Sequence, residues 1–232
     1  MALRDDLHAQ VAKIFREVWT TRDGQVVPAN ADVGLGNDAV KLNATVLYAD
    51  LADSTLLVDR HIPAFAAEVY KTFLHCAAKI IVNEGGEITA YDGDRVMAVF
   101  LGHGKNVAAI RAAMQINFVV KNVIAPTMAV QYNTTNYTLK HVIGVDTSDL
   151  FVARTGVRGA NDLVWVGRAA NHAAKLAALP DTYQTYVTKA VFDQVPDFFK
   201  YSEVGAAIWE PATWNTFDNS IVYRTTWGQI VL

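Results

Sequence analysis

A single cysteine among 232 residues, Cys76, rules out an internal disulfide framework and a cysteine-built zinc site. It falls on the apolar side of a predicted helix, so an inert core thiol is expected. Surplus charge is missing as well. A net charge of −3 and a pI near 6.0 exclude bulk attraction to nucleic acid or to acidic membranes and leave a small molecule as the expected partner. No uninterrupted apolar run reaches the ~18 residues that span a bilayer, and residues 1–20 are charged and amphipathic rather than signal-like. A cytoplasmic location is therefore expected, with neither nucleic acid nor membrane as a partner. The chain has no internal repeat and no low-complexity segment, and its six histidines show no ligand spacing. What it does have is apolar content, 52% of residues, enough to bury a single core of ordinary size.

Leu3, Leu7, Val11, Ile14, Phe15 and Val18 recur at helical spacing and predict an N-terminal helix, and the polar stretch Thr20 to Asp38 reads as a linker. Residues 1–40 are thus expected to form a helix and linker, and residues 41–232 the compact domain. A β-branched strand runs to Asp50. A helix from about His61 follows, with Pro63 in its first turn and Phe65, Val69, Phe73, Ala77 and Ile80 on one face. Gly85-Gly86 launches a hairpin whose tip is Asp92-Gly93-Asp94. A second helix spans Lys105 to Val123, with Pro126 marking its end. Strands follow at Tyr137 to Val145, near Leu150 to Ala153 and at Asp162 to Val166, then a helix from Arg168 to Ala178. Short strands are expected from Tyr183 onward. This order fits an α+β fold with helices packed on a mainly antiparallel sheet.

Asp50 and Asp94 stand out because each lies at the end or turn of an apolar strand, where a side chain is exposed at a sheet rim. Carboxylates so placed can hold divalent metals, Mg or Mn, through hard oxygen ligands, and two such ions support in-line phosphoryl or nucleotidyl transfer. The competing reading is a pair of turn aspartates that only cap and solubilise. Asp53, Ser54 and Thr55 follow Asp50 in a turn suited to wrapping a phosphate with backbone N–H groups. Asn171 and Lys175 stand at i and i+4 on one helix face, an amide able to hold a ribose oxygen and an ammonium able to meet growing phosphate charge; alone, they also fit a solvated polar face. His172 beside them is expected at the surface. Gly102-His103-Gly104-Lys105-Asn106 is not a phosphate loop, since Val99 and Asn106 occupy the positions of its first glycine and its hydroxyl residue.

Together these segments resemble the catalytic domain of class III nucleotidyl cyclases over roughly Lys41 to Leu179. Leu47 to Thr55 looks like that family's strand, metal aspartate and phosphate turn, Gly93-Asp94 like its hairpin tip, and Gly167 to Lys175 like its Gly-x-x-x-Asn-x-Ala-x-Arg helix. The resemblance implies a ferredoxin-like α+β fold and a head-to-tail homodimer with composite active sites acting on a nucleoside triphosphate. It also implies two divalent ions held by Asp50, Asp94 and the Leu51 carbonyl, with Asn171 orienting the ribose and Lys175 standing in the arginine position. A lysine there gives up the planar bidentate fork.

The base-reading positions depart from the purine cyclases. Ala90 and Val164 occupy them and can make none of the side-chain hydrogen bonds that select adenine or guanine. Tyr48 stands where phenylalanine is usual, and its bulk and hydroxyl favour a smaller base; the competing role is core packing alone. No lysine follows Lys200 to grip the triphosphate. The combination is similar to the stand-alone bacterial pyrimidine cyclases of Pycsar antiphage systems, which implies conversion of UTP to cyclic UMP and a separately encoded cyclic-nucleotide effector. Cyclic CMP synthesis, a purine cyclase with unusual base contacts, and a catalytically dead nucleotide sensor are the alternatives. Glu87 after Gly85-Gly86 gives a weaker likeness to diguanylate cyclases, which have no place for the asparagine helix.

Overall fold

Period-two alternation over residues 38–51 makes this segment the centre of the architecture. Val40, Leu42, Ala44 and Val46 face one side and Leu47, Ala49 and Leu51 end on the other, and both sets are buried. The computed structural model describes residues 2–231; Met1 and Leu232 lie outside it. In chain order the elements are α1 (Leu3–Arg16), β1 (Thr20–Asp23), β2 (Asp38–Leu51), α2 (Ser54–Arg60), α3 (Pro63–Asn83), β3 (Glu87–Asp92), β4 (Arg95–Phe100), α4 (Lys105–Val119) and α5 (Ala125–Gln131). They continue with β5 (His141–Val157), β6 (Ala160–Val166), α6 (Arg168–Ala177), β7 (Thr185–Thr188), α7 (Lys189–Phe192), β8 (Glu210–Trp214) and β9 (Ser220–Thr225). The sheet runs β3-β4-β2-β5-β7-β9-β8, with β1 on β2 and β6 on β5. Only the β1–β2 and β5–β7 pairs are parallel. The expected α+β class with a mainly antiparallel sheet is what forms.

Three local expectations change. The stretch read as a linker contains β1, whose residues Thr20 to Asp23 pair with Asp38 to Lys41. All four β1 side chains are exposed, so no apolar pattern announces the strand. It forms because β4 covers β2 only from Thr45 to Ala49 and leaves the first part of that edge open. The two strands expected around residues 137–153 are one, β5, because the intervening Asp146 and Thr147 are buried rather than looped out. Pro126 does not end its helix. A π turn over Val120–Ile124, in which the Ala125 N–H reaches the Val120 carbonyl, widens the helix where proline cannot donate, and α5 continues. Within the continuous helical run Lys105–Gln131, one 18-residue window has mean hydropathy 1.3 and is long and apolar enough to cross a bilayer, although charged and polar residues interrupt it. Its 61% burial is that of a helix packed into a core.

Two layers of core result. Phe73, Ile81, Ile110 and Ile116 from α3 and α4 cover Leu47, Ala49 and Leu51 on one face, while α6 lays Ala169, Ala170 and Ala173 on Ala44, Val46, Leu150 and Val152 of the other. Small residues let α6 approach closely. At Gly144 of β5 a Cβ would stand 2.1 Å from the Ala173 carbonyl oxygen and 2.6 Å from the Ala177 nitrogen, so only glycine fits beneath the helix. Gly144→Ala is therefore expected to cost about 1–3 kcal/mol and to lift α6. A lower midpoint in urea unfolding together with loss of turnover checks it, and an unchanged midpoint would refute the close contact.

Candidate active site

Strand register brings the two expected carboxylates together. Ala49 pairs with Val96 and Asp92 with Arg95, so the Gly93–Asp94 turn, made possible by Gly93 at φ 63°, closes beside the C-terminal end of β2 where Asp50 sits. Burial first, and then the Asp94 charge, pushes the Asp50 carboxyl up to about 6, against the pull of Arg95 and of the Leu51 backbone hydrogen bond. Asp94 Oδ2 is buried with no hydrogen-bond partner. Two oxygen donors that repel each other, one of them unsatisfied, fit a divalent cation. Among the described residues no three His, Cys, Asp or Glu side chains converge on a metal position, so such an ion would take its other ligands from backbone and substrate.

Tyr48 and Ala90 also come together, as two walls of a cavity of about 270 Å³ completed by Asp92, Arg95, Met97 and Ala174. Sequence reading missed Arg95. The signal was available in the alternation of β4: Met97 lies opposite Tyr48, and Arg95, two residues earlier, shares its face. Arg95 Nη2 donates to Asp92 Oδ2 at 2.7 Å, leaving further guanidinium donors for a ligand. The Tyr48 phenol is raised by burial and by Asp92, with Arg95 opposing, and stays protonated at neutral pH. Val164 is elsewhere in its own chain: in β6, Leu163 and Trp165 pack inward and Val164 is exposed.

At the turn after Asp50, Asp53 adopts the left-handed conformation at φ 59° and α2 begins at Ser54, with Thr55 exposed behind it. Lys140, just ahead of β5, lies 3.5 Å from Asp53 and 2.7 Å from Asp181. It is a cation beside the turn after Asp50, and a reading of the C-terminal region alone does not find it. Tyr137 is nearby, its hydroxyl buried without a partner and pushed up to about 12 by burial and by the charges of Tyr70, Asp53 and Asp94.

Asn171 and Lys175 stand on the exposed face of α6, as their spacing predicts, and the Lys175 ammonium lies 5.1 Å from the Phe217 ring centroid. The buried face is held by Asp146, which is fully buried and accepts from Arg168 Nε at 3.1 Å and Thr188 Oγ1 at 2.5 Å. His172 corrects its expected surface position. Its Nδ1 lies 3.3 Å from Asp146 Oδ2, and its ring packs edge-on against Trp214 and Phe217. Burial lowers its pKa against the pull of Asp146, so the ring is neutral and structural. Asn106 is likewise structural, buried and bonded to Thr45 and Gln194.

No protein-family model matches the chain. It is 52% identical over 228 residues to a uridylate cyclase of Xanthomonas perforans, with 98% of each chain covered. It is 47% identical over 230 residues to a uridylate cyclase of Burkholderia cepacia, again covering 98% of each. In three dimensions it is similar to a bacterial light-regulated adenylyl cyclase, with a TM-score of 0.68 at 21% identity, over 84% of this chain and 55% of that one. The second likeness fixes the fold, that of class III cyclases.

The repulsion between Asp50 and Asp94 has a measurable sign. A carboxyl raised from 3.8 to about 6 is favoured by folding only while protonated, so the ionised form costs stability above pH 6 and the cost fades as pH falls towards 4. Asp50→Asn in metal-free protein should gain about 1–2 kcal/mol at pH 8, after allowance for solvent screening, a smaller amount between pH 6 and 4, and almost nothing at about pH 3. Mn should raise the melting temperature of the wild type but not of Asp50→Asn. Equal Mn stabilisation of both proteins would remove Asp50 from the ion's ligands.

Proposed function

The chain belongs to the uridylate cyclase family of nucleotidyl cyclases, and from that premise we propose that it converts UTP into 3′,5′-cyclic UMP and pyrophosphate in a homodimer with two shared sites. Asp50, Asp94 and the Leu51 carbonyl would hold two Mg or Mn ions. Such ions, when bound, would supply acidification of the ribose 3′-hydroxyl and counter-charge for the triphosphate. Asn171 of the partner subunit orients the ribose for in-line attack on the α-phosphorus, and Lys175 of the partner subunit meets the charge that develops there. The Asp53–Thr55 turn receives the triphosphate, with Lys140 beside it as a counter-charge. The released bond is that between the α-phosphorus and the oxygen bridging to the β-phosphate.

The observation that carries the choice of a pyrimidine is the Tyr48–Arg95 cavity. Its volume is set by Tyr48, and Ala90 offers a purine no polar side chain. Uracil presents two carbonyl acceptors flanking one N–H donor. Arg95 is donor-only and can serve a uracil carbonyl, while Asp92 and the Tyr48 hydroxyl can accept from the uracil N–H, so the cavity supports a pyrimidine, and the similarity to uridylate cyclases supports uracil over cytosine. In the cell, cyclic UMP made in the cytoplasm would signal to a separately encoded effector in antiviral defence, a reading supported by the resemblance to antiphage cyclases.

When each of the four NTPs is incubated separately with the protein and Mn, UTP should be turned over best, with cyclic UMP as the product by mass spectrometry. Mainly cyclic CMP, cyclic AMP or cyclic GMP would overturn the base assignment, and no cyclic product would mark the chain as a nucleotide sensor. Tyr48→Ala and Arg95→Met should each lower kcat/KM for UTP by roughly 5- to 150-fold, the equivalent of ~1–3 kcal/mol, with little change in melting temperature.

The shared site has its own test. Mixing inactive Asp50→Ala chains with inactive Asn171→Ala chains should restore part of the activity, since one of the two sites in a mixed dimer is whole. Zero activity after verified exchange would refute the shared arrangement.

A further inference from the structure

Helix α1 buries none of its residues, yet it carries a row of exposed apolar side chains: Leu3, Leu7, Val11 and Ile14 range from 48% to 74% exposed, and Phe15 is 86% exposed. The stripe is narrow. At ~100° per residue these four positions fall within roughly 80° of arc, the width of a helix-pairing seam rather than of a core-facing helix. The helix is fixed at its root, where the Asn37 amide donates to the Ile14 carbonyl at 2.8 Å and the Glu17 carbonyl at 2.7 Å, and where Trp19 packs edge-on against Phe151. A rigidly held helix thus presents an uncovered seam.

Two features identify what covers it. The stripe maps nearly onto itself when reversed: Leu3 exchanges with Ile14 and Leu7 with Val11, about a centre near Ala9, as a two-fold antiparallel pair requires. The charges match in the same orientation. The first turn carries Asp5 and Asp6 and the last carries Lys13 and Arg16. Asp6 and Lys13, seven residues apart, lie on one flank of the stripe, and in an antiparallel pair like flanks meet, which sets Asp6 of each copy against the partner's Lys13, twice. Opposed helix dipoles favour the same arrangement.

We propose that α1 pairs antiparallel with α1 of a second copy of this chain, adding a dimer contact separate from the shared active site. The proposal rests on the homodimer reading only in naming a second copy as the occupant. All the residues concerned are exposed in the protomer, so their substitution leaves its fold unchanged by circular dichroism.

By sedimentation of the full chain, Leu7→Glu combined with Ile14→Glu should raise the dimer dissociation constant at least tenfold. Asp6→Lys should weaken the dimer, and adding Lys13→Asp should restore it. Orientation is read by mild oxidation, with the wild type and its half-buried Cys76 as control. Leu3→Cys should cross-link when mixed with Ile14→Cys and not to itself. An unchanged dissociation constant in the double-glutamate variant overturns the pairing, while the shared-site reading stands or falls separately on complementation between Asp50→Ala and Asn171→Ala chains. Self-cross-linking of Leu3→Cys as efficient as its cross-linking to Ile14→Cys overturns the antiparallel order.

Discussion

The buried charge of Asp146 is the constraint on which the working surface depends. A carboxylate with no solvent exposure persists only if every lone pair is engaged, and here Arg168, Thr188 and His172 engage it from three directions. Two of these partners lie on α6 and one at the end of β7, so a single ion fixes the helix to the sheet and to the strand beyond it. Loss of Arg168 would leave the charge in the core without a counter-charge, and loss of Thr188 or His172 would leave one of its oxygens short of a partner, which is why such clusters specify one arrangement more than they stabilise it. Asn171 and Lys175 owe their outward presentation to this inward anchor.

Much of the site was legible because chemistry needs special residues at special places. Asp50 and Asp94 at strand ends, and an amide and an ammonium one helical turn apart, survive translation into three dimensions because strand period and helix period are fixed by backbone geometry. The cavity beside Tyr48 was half legible. Tyr48 and Ala90 were named, but Arg95 reads as an ordinary polar residue until the β2–β4 register places it across from them. Lys140 was invisible for a related reason: its nearness to Asp53 arises from pairing between residues far apart in the chain.

The fold was legible wherever apolar periodicity was strong and failed where pairing or burial contradicted composition. β1 has four exposed side chains and forms by filling a vacant edge. The middle of β5 has a polar sequence and is buried because its carboxylate is the one that holds α6. The helix through Pro126 continues because a π turn absorbs the missing donor. In each case the deciding interaction is non-local, and a window of neighbouring residues contains no trace of it.

The placement of β2 has a mechanical consequence. Its first residues are zipped to β1, beside the Asn37 bonds that hold the end of α1, and its last residues carry Asp50. Between them runs a single strand of 14 residues, roughly 40–50 Å of fully extended backbone, clamped by β5 along nearly its whole length. An extended strand has no slack to take up. Tension or torque applied at the amino terminus is therefore in series with the Asp50 carboxylate, and the central strand works as a tie rod between the two ends of the molecule.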